Sequence, residues 1–332
     1  MKRLLSLSAV LLACVPITAC GGGDDTDLTI YSGRNEELVG PLIEQFEEES
    51  GLTVEVRYGD TAELAATIAE EGDNSPADVF FAQDVGALGS VEDQLAELPA
   101  DDLDAVPERY RDPDGRWVGT SARARVVAYS TERVEEGELP DTIFDFTSDE
   151  WKGRVGLPPT NGSFQAFVSV MRLDAGDDRT RAWLEDLAAN EAKLYENNTQ
   201  TIEAIDAGEI DAGFVNHYYL EELRRENPDL KVANHFLAPG DPGAFVNAAG
   251  VGILATSDHE EAAERFVSFL LGPEAQTYFA ENTFEYPLAA GVEPVGDLPP
   301  LEELVSPDVT LDQLGDELEP TLRMLNEVGL TS

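Results

Sequence analysis

Short apolar strands alternate with amphipathic helices along most of the chain, and this alternation restricts the possible folds more than any other feature. The segment ADVFFA (77–82) is a continuous apolar run, which is typical of a strand buried on both faces of a parallel sheet. Before it, LTIYS (28–32) and LTVEVRY (52–58) each precede a segment with helical periodicity, EELVGPLIEQFEEES (36–50) and TAELAATIAEEG (61–72). Repeated strand and helix units of this kind predict a doubly wound α/β lobe.

The same pattern starts again in the second half of the chain, which predicts a second lobe. ARVVAYS (124–130) has the composition of a strand, and FVNAAGVGILA (245–255) is long and apolar enough to run between lobes. Strand-like and helix-like segments alternate between them. These segments are GRVGLP (153–158), SFQAFVSVMRLD (163–174), TRAWLEDLAAN (180–190) and TIEAIDAGEIDAGFVN (201–216).

We therefore expect two lobes joined by extended strands. Residues 28–123 are predicted to form lobe 1, with 250–285 returning to it. Residues 124–249 are predicted to form lobe 2, with the C-terminal helices of 286–332 packing near it. Because ligand sites in α/β lobes lie at the carboxyl ends of strands, we expect the ligand in the cleft between lobes, with hinge closure around it.

The first 27 residues carry export signals. A basic start and a short apolar run predict that residues 1–19 are a secretory signal peptide. The ending ITAC resembles the lipobox of bacterial lipoproteins, which implies a lipidated Cys20 followed by a flexible tether over 20–27. We therefore expect an extracytoplasmic protein that contacts the outer face of the cell membrane, at the cell surface or in the periplasm, through its lipid anchor alone. The alternative is a plain cleaved signal in which Cys20 is incidental.

The charge of the chain excludes several classes of partner. It has 21 basic and 67 acidic residues, for a formal net charge of −46. Such a chain repels nucleic acid and anionic lipid surfaces. Most of the acidic residues fall in runs between apolar positions, which is typical of a solvated face. Attraction for cations, adaptation to a saline habitat and simple solubility each explain this bias.

Two adjacent tyrosines in VNHYYLEEL (215–223) are the main candidates for binding chemistry. Neighbouring helical side chains point about 100° apart, so a core stripe does not use adjacent positions. We predict that Asn216 is a helix N-cap and that His217, Tyr218 and Tyr219 occupy the first turn, from which both phenols reach past the helix end. Phenolates are hard anionic donors, suited to a hard trivalent cation such as ferric iron. The alternative is a pair of packing or gating aromatics.

Several other segments carry groups that favour an anion. Free N–H groups and hydroxyls at helix starts bind anions, and arginines at alternate strand positions share one face. The residues are Asn161, Gly162 and Ser163 at a strand-to-helix turn, Asn198 at another helix start, and Arg123 and Arg125 on a strand.

Over nearly all of its length after the tether, the chain resembles the ferric-ion-binding proteins, the bacterial periplasmic transferrins that serve iron ABC transporters. The resemblance implies an α/β, two-lobed periplasmic-binding-protein fold of type II, with a doubly wound sheet in each lobe and a hinge of crossing strands. It implies a monomeric binding protein, not an enzyme, whose partners are an iron ABC permease and its ATPase. The segments that carry it are IYSGRNEELVGPLIEQFEEESGLTVEV, EEGDNSPADVFFAQD, SARARVVAYS, WKGRVGLPPTNGSF, VNHYYLEEL, DPGAFVNAAG and EYPL.

The resemblance also implies roles for particular residues. Tyr218 and Tyr219 match the paired tyrosines that bind Fe3+ directly. Arg123 and Arg125 match arginines behind the site that help to stabilise its anions. The positions that match the seat of a synergistic phosphate or carbonate are Asn161, Gly162, Ser163, Asn198 and Asn216.

The chain departs from the family pattern at two ligand positions. Where many relatives have a histidine after the first strand, this chain reads Gly33-Arg34-Asn35, and where they have a glutamate after the buried strand it has Gln83 followed by Asp84. Gln83 and Asp84 are therefore the candidates for further metal ligands, with Glu36 as an alternative, and Arg34 is a candidate anion contact. His217 matches no family ligand and is predicted to lie behind the ligands.

Two other functions are compatible with parts of the sequence. A receptor of the same fold for an organic solute, such as a polyamine, thiamine or a phosphonate, would stack the two tyrosines on its ligand. An exported hydrolase is disfavoured because the chain has neither a G-x-S-x-G nor an H-E-x-x-H motif.

Overall fold

The computed structural model of the protein describes residues 26–296, 298–314 and 317–331. The predicted signal peptide and Cys20 lie outside these ranges. No helix within the described ranges is both long enough and apolar enough to cross a bilayer.

Strands and helices alternate in the described chain, as the sequence predicts. The strands are β1 Leu28–Ser32, β2 Val54–Tyr58, β3 Val79–Ala82, β4 Trp117–Ser130, β5 Val155–Leu157, β6 Lys193–Leu194, β7 Ala212–Asn216, β8 Val232–His235, β9 Val246–Ile253 and β10 Tyr286–Pro287. The helices are α1 Glu36–Ser50, α2 Thr61–Glu71, α3 Val85–Ser90, α4 Ala100–Asp104, α5 Gly162–Ala175, α6 Asp177–Ala189, α7 Asn198–Asp206, α8 Tyr218–Glu226, α9 Glu260–Leu271, α10 Pro273–Asn282 and α11 Leu318–Glu327.

Lobe 1 is built on a mixed sheet with the strand order β2-β1-β3-β9-β4. β1 pairs in parallel with β2 and β3, whereas β9 runs antiparallel to both β3 and β4. β3 is fully buried, as its continuous apolar run predicts. Aromatic side chains of the helices pack around it, and the rings of Phe46 and Phe266 meet edge to face at 5.1 Å.

Lobe 2 has its own sheet and one core cluster of its own, and its residues Ile202, Ile205 and Leu220 join the cluster that contains the core of lobe 1. Its strands lie in the order β8-β4-β7-β5-β6, with β5 parallel to β6 and β7. Its core is rich in aromatic residues: the ring of Trp183 lies 5.9 Å from Phe167 and 5.7 Å from Phe214. Such pairs add roughly 0.5–1.5 kcal/mol each beyond the area that they bury.

β4 belongs to both sheets and is buried along its whole length. Ala124 pairs with Val246 on β9 in lobe 1, and the next residue, Arg125, pairs with Asn216 on β7 in lobe 2. β9 pairs with lobe 1 from Val246 onward, so the return point predicted at residue 250 lies inside this strand. The strand change at 124–125 places the junction between the lobes within one peptide unit.

The C-terminal region divides between the two lobes, which differs from the prediction that all of 286–332 lies near lobe 2. β10 pairs with β4 in the sheet of lobe 1, and Leu311 and Leu314 enter the core of that lobe. α11 joins lobe 2, because Met324 and Leu325 on its apolar face enter the second core. The segment before it already touches lobe 2, where Gly240 N donates to Val305 O at 2.7 Å. The chain therefore passes from lobe 1 to lobe 2 again close to its end.

A buried ion pair ties the loop after β1 to the segment before β10. The Arg34 guanidinium donates two hydrogen bonds to the Glu285 carboxylate, at 2.9 and 2.6 Å, and each residue is only 1% exposed. Thr283 Oγ1 donates a further bond of 2.9 Å to Glu285. Arg34, predicted as an anion contact, is thus engaged by a carboxylate of the protein.

We expect Glu285→Gln to lower the free energy of unfolding by about 3 kcal/mol, because it leaves a buried guanidinium without its counter-charge. Urea denaturation of the parent and the variant measures the change. Glu319→Gln is the matched control, since the Glu319 and Arg323 side chains are 86% and 63% exposed, and it should change stability by less than about 0.5 kcal/mol. Equal effects of the two variants would contradict a structural role for the buried pair.

Candidate functional site

A cleft of about 750 Å³ lies between the two lobes. Its walls are the loops that follow β1, β2 and β3 in lobe 1 and the starts of α5 and α8 in lobe 2. These are the carboxyl ends of strands, where ligands of α/β lobes bind. The candidate site residues that line the cleft are Gln83, Asp84, Arg123, Asn161, Gly162, Ser163, Asn216, Tyr218 and Tyr219. The candidates Arg34, Arg125, Asn198 and His217 are buried and do not line it.

Tyr218 and Tyr219 form the first turn of α8 and stack on each other. Their ring centroids are 4.3 Å apart with an interplanar angle of 28°, and both side chains line the cleft. Burial raises the pKa of Tyr219 above its ordinary value, and it raises that of Tyr218 further, while Arg123 opposes the rise in both. Both phenols are therefore protonated at neutral pH in the absence of a cation. A bound cation of high charge would reverse this preference.

Asn216 is not the N-cap of this helix, which corrects the prediction. It is the last residue of β7, where its pairing with Arg125 on β4 continues the strand register to the edge of the cleft. The N-cap position belongs to His217, whose side chain makes no capping bond. The side-chain oxygen of Asn216 accepts from Arg125 Nη1 at 3.2 Å, so a contact with β4 replaces the predicted cap. The backbone N–H of Asn216 donates to Asn198 Oδ1 at 3.1 Å.

The Asn161–Ser163 turn leads from β5 into α5, as predicted, and Asn161 caps the helix. Asn161 Oδ1 accepts hydrogen bonds from Ser163 N at 3.1 Å and from Ser163 Oγ at 2.6 Å. Asn198 Nδ2, from the first residue of α7, donates to the same oxygen at 3.2 Å. The starts of α5 and α7 are thus held together, and their N-terminal ends favour negative charge.

Arg125 supplies a buried positive charge beside this turn. It donates to Phe214 O at 2.7 Å and, at 3.2 Å each, to Ser163 Oγ and Asn216 Oδ1. Among the described residues no carboxylate lies within salt-bridge distance of it. Burial lowers the pKa of Arg125 to about 9, and the two nearby tyrosines oppose this shift. An anion bound at the turn would provide the missing counter-charge.

Arg123 lines the cleft and keeps part of its hydrogen-bonding capacity. Its Nη2 donates to the backbone oxygen of Gln83 and lies 3.6 Å from Asp84 Oδ2. Its Nε and Nη1 are buried and have no hydrogen-bond partner within the described ranges. Asp84 itself caps α3 through Gly86 N at 2.8 Å and accepts a bond from Asn247. Asp84 is therefore largely engaged, whereas two buried donor groups of Arg123 have no partner among the residues that the structure describes.

His217 lies behind the tyrosines and is fully buried. Its Nδ1 accepts a hydrogen bond from Ala124 N at 3.1 Å, so the proton lies on Nε2, which donates to Phe284 O at 2.9 Å. Burial lowers the pKa of His217 to about 4, and the ring is neutral at neutral pH. Both ring nitrogens are engaged, which leaves neither as a metal ligand.

Sequence reasoning missed two residues of this region, Glu285 and Asn247. Glu285 holds Arg34, and Asn247 holds Asp84. Both lie in segments that carry the family resemblance, EYPL and DPGAFVNAAG, and that is the only sequence signal for them.

Comparison with known proteins agrees with the fold. The family of bacterial extracellular solute-binding proteins matches residues 74–307. The Fe(3+)-binding periplasmic protein of Serratia marcescens is 32% identical over 99% of this chain and 99% of its own. Iron-bound HitA from Pseudomonas aeruginosa has a TM-score of 0.84 and 32% identity, over 91% of this chain and 99% of that one. FutA of Trichodesmium, in complex with iron and citrate, has a TM-score of 0.79 and 29% identity, over 92% of this chain and 99% of that one. The chain belongs to the bacterial extracellular solute-binding proteins and, within them, to the ferric-ion-binding family.

Proposed function

We propose that this protein captures Fe3+ together with a synergistic anion in the interlobe cleft and delivers it to an ABC permease and its ATPase. The observation that carries the proposal is the stacked pair Tyr218 and Tyr219 on the cleft wall, which the Asn161–Ser163 turn also lines. The names of the relatives as ferric-iron-binding proteins support it. Outside the described residues, the lipobox at Cys20 supports anchoring on the outer face of the membrane.

The donor set suits a hard trivalent cation. The two phenols supply anionic oxygens once they lose their protons, and Fe3+ is the abundant biological ion that prefers such donors. Gln83 and Asp84 remain the candidate ligands of lobe 1. Gln83 is the freer of the two, because Asp84 already bonds Gly86 and Asn247.

Charge balance supports the anion. Fe3+ with two phenolates retains a net charge of +1, and leaving it uncompensated in a closed cleft is costly. Phosphate or carbonate at the Asn161–Ser163 turn would cancel it and would also compensate Arg125, which has no carboxylate in contact among the described residues. Arg123, which also lines the cleft, adds a second positive charge near the anion. A carboxylate such as citrate offers the same chemistry.

Removal of either phenolic oxygen is expected to abolish tight iron binding. Tyr218→Phe and Tyr219→Phe keep the ring and its stacking, so the fold should persist. Iron affinity should fall more than ~100-fold, because loss of a residue that only supports a metal ligand already lowers metal affinity by about 10–100-fold. Iron titration, followed by the visible phenolate-to-iron absorption band, measures the loss. Tyr195→Phe is the control, since its hydroxyl bonds Glu209 away from the cleft. Near-parental affinity in either cleft variant would remove that residue as a ligand, and a parent without colour would favour an organic solute.

Iron uptake should release protons, and acid should weaken it. Because burial raises the pKa of both phenols above 10, both are protonated from pH 6 to 8 before iron arrives. Binding then displaces two protons, so affinity should fall about 100-fold per pH unit on acidification. A pH-stat titration with a ferric chelate, corrected for protonation of the chelator, counts the protons. Release of fewer than one proton per iron would contradict ligation by two phenolates.

The anion is expected to be an obligate partner held mainly by lobe 2. In buffer stripped of phosphate and carbonate, iron affinity should fall by at least about tenfold and recover when either is added. Ser163→Ala should reduce the affinity for the anion, whereas Gln83→Ala should have a smaller effect than the tyrosine variants. Unchanged iron affinity without any anion would contradict this division between the lobes. So would a lower iron affinity in Gln83→Ala than in Tyr218→Phe.

A further inference from the structure

At the junction between the lobes, His217 bonds both backbone polar groups of Ala124. Ala124 is the last residue of β4 that pairs with lobe 1. Its N–H donates to His217 Nδ1 at 3.1 Å, and its carbonyl accepts from the His217 backbone N–H, also at 3.1 Å. His217 therefore closes a two-bond ring with the residue at which β4 passes from one sheet to the other.

His217 also contacts three other parts of the structure. Its Nε2 donates to Phe284 O at 2.9 Å, and Phe284 has a left-handed backbone with φ of 54° just before β10. Its own carbonyl accepts from Asn234 Nδ2, on β8, at 2.9 Å. Its ring lies 5.0 Å from that of Tyr286 and meets the ring of Tyr218 edge on at 5.9 Å. His217 is thus held by β4, by β8 and by the segment at the start of β10.

We infer that His217 is a positioning residue that fixes Tyr218 and Tyr219 relative to the strand on which the two lobes meet. The inference rests on the proposed function for the role of the tyrosines. Tyr218 follows His217 directly, so a displacement of Ala124 moves the start of α8 and with it both phenols. Movement of the lobes about β4 is thereby coupled to the geometry of the phenol pair.

The chemistry of the site explains why the residue is a histidine. The position requires an acceptor for Ala124 N–H and a donor for Phe284 O on one flat, otherwise apolar side chain. A neutral imidazole provides both. Asparagine reproduces the Nδ1 position alone, and glutamine reproduces the Nε2 position alone. The two substitutions therefore separate the two contacts.

Amide hydrogen exchange tests the first contact without iron. In His217→Gln, exchange at Ala124 should accelerate by about tenfold or more, because its N–H loses its acceptor, whereas His217→Asn should keep parental exchange there. His235→Gln is the control, since His235 also bonds a backbone carbonyl, Pro140 O at 3.0 Å, but lies away from the cleft. Parental protection of Ala124 in His217→Gln would overturn the assignment, whether or not the protein binds iron.

Iron spectroscopy tests the consequence for the tyrosines. Both His217 variants should still bind iron, with a shifted phenolate-to-iron absorption maximum and iron release accelerated about tenfold, while His235→Gln keeps the parental values. An unchanged maximum and release rate in both variants would overturn the positioning role. If the parent binds no iron, the proposed function fails, and the exchange result still decides whether His217 holds the junction. If His217→Gln does not fold, His217→Asn decides the role of the Phe284 contact by the same spectrum and release rate.

Discussion

The pairing requirement of one buried strand determines where the site lies. β4 is buried from end to end, so each of its backbone polar groups needs a partner within the protein. It finds them first in lobe 1 and then in lobe 2, and the change occurs between Ala124 and Arg125. Because side chains alternate along a strand, Arg123 and Arg125 both face the side on which the cleft opens. The junction that joins the lobes therefore also carries the positive charge of the site.

The buried charges near the cleft do not balance within the protein. Arg34 has Glu285 as its partner, whereas Arg125 has no carboxylate in contact among the described residues. The phenols of Tyr218 and Tyr219 do not supply the missing negative charge, because burial keeps them protonated. A ligand that brings both a cation and an anion resolves this imbalance, since the cation ionises the phenols and the anion compensates the arginine.

Local patterns predicted much of this structure, and long-range contacts account for what they missed. The strand at 28–32, the helix at 36–50 and the strand-to-helix turn at Asn161 follow from periodicity and turn chemistry, which act over a few residues. Asn216 was misplaced because pairing with Arg125, 91 residues away, extends β7 through it. Arg34 was expected in the cleft because no neighbouring residue in the sequence indicates its partner, Glu285, which lies 251 residues further along the chain. No local pattern reports such pairings.

The two lobes contribute unequally to the cleft. Lobe 2 provides both phenols and the capped turn, and the turn is held by bonds within that lobe, from Asn198 and Arg125. Lobe 1 provides Gln83, Asp84 and Arg123, and Asp84 is already engaged. Under the proposed function, lobe 2 would therefore bind iron and anion first, and lobe 1 would close on a site that is already charged. Closure favours the loaded protein only through contacts that the open state lacks, and Arg123 is well placed to supply them, because it brings a positive charge of lobe 1 to the cleft wall.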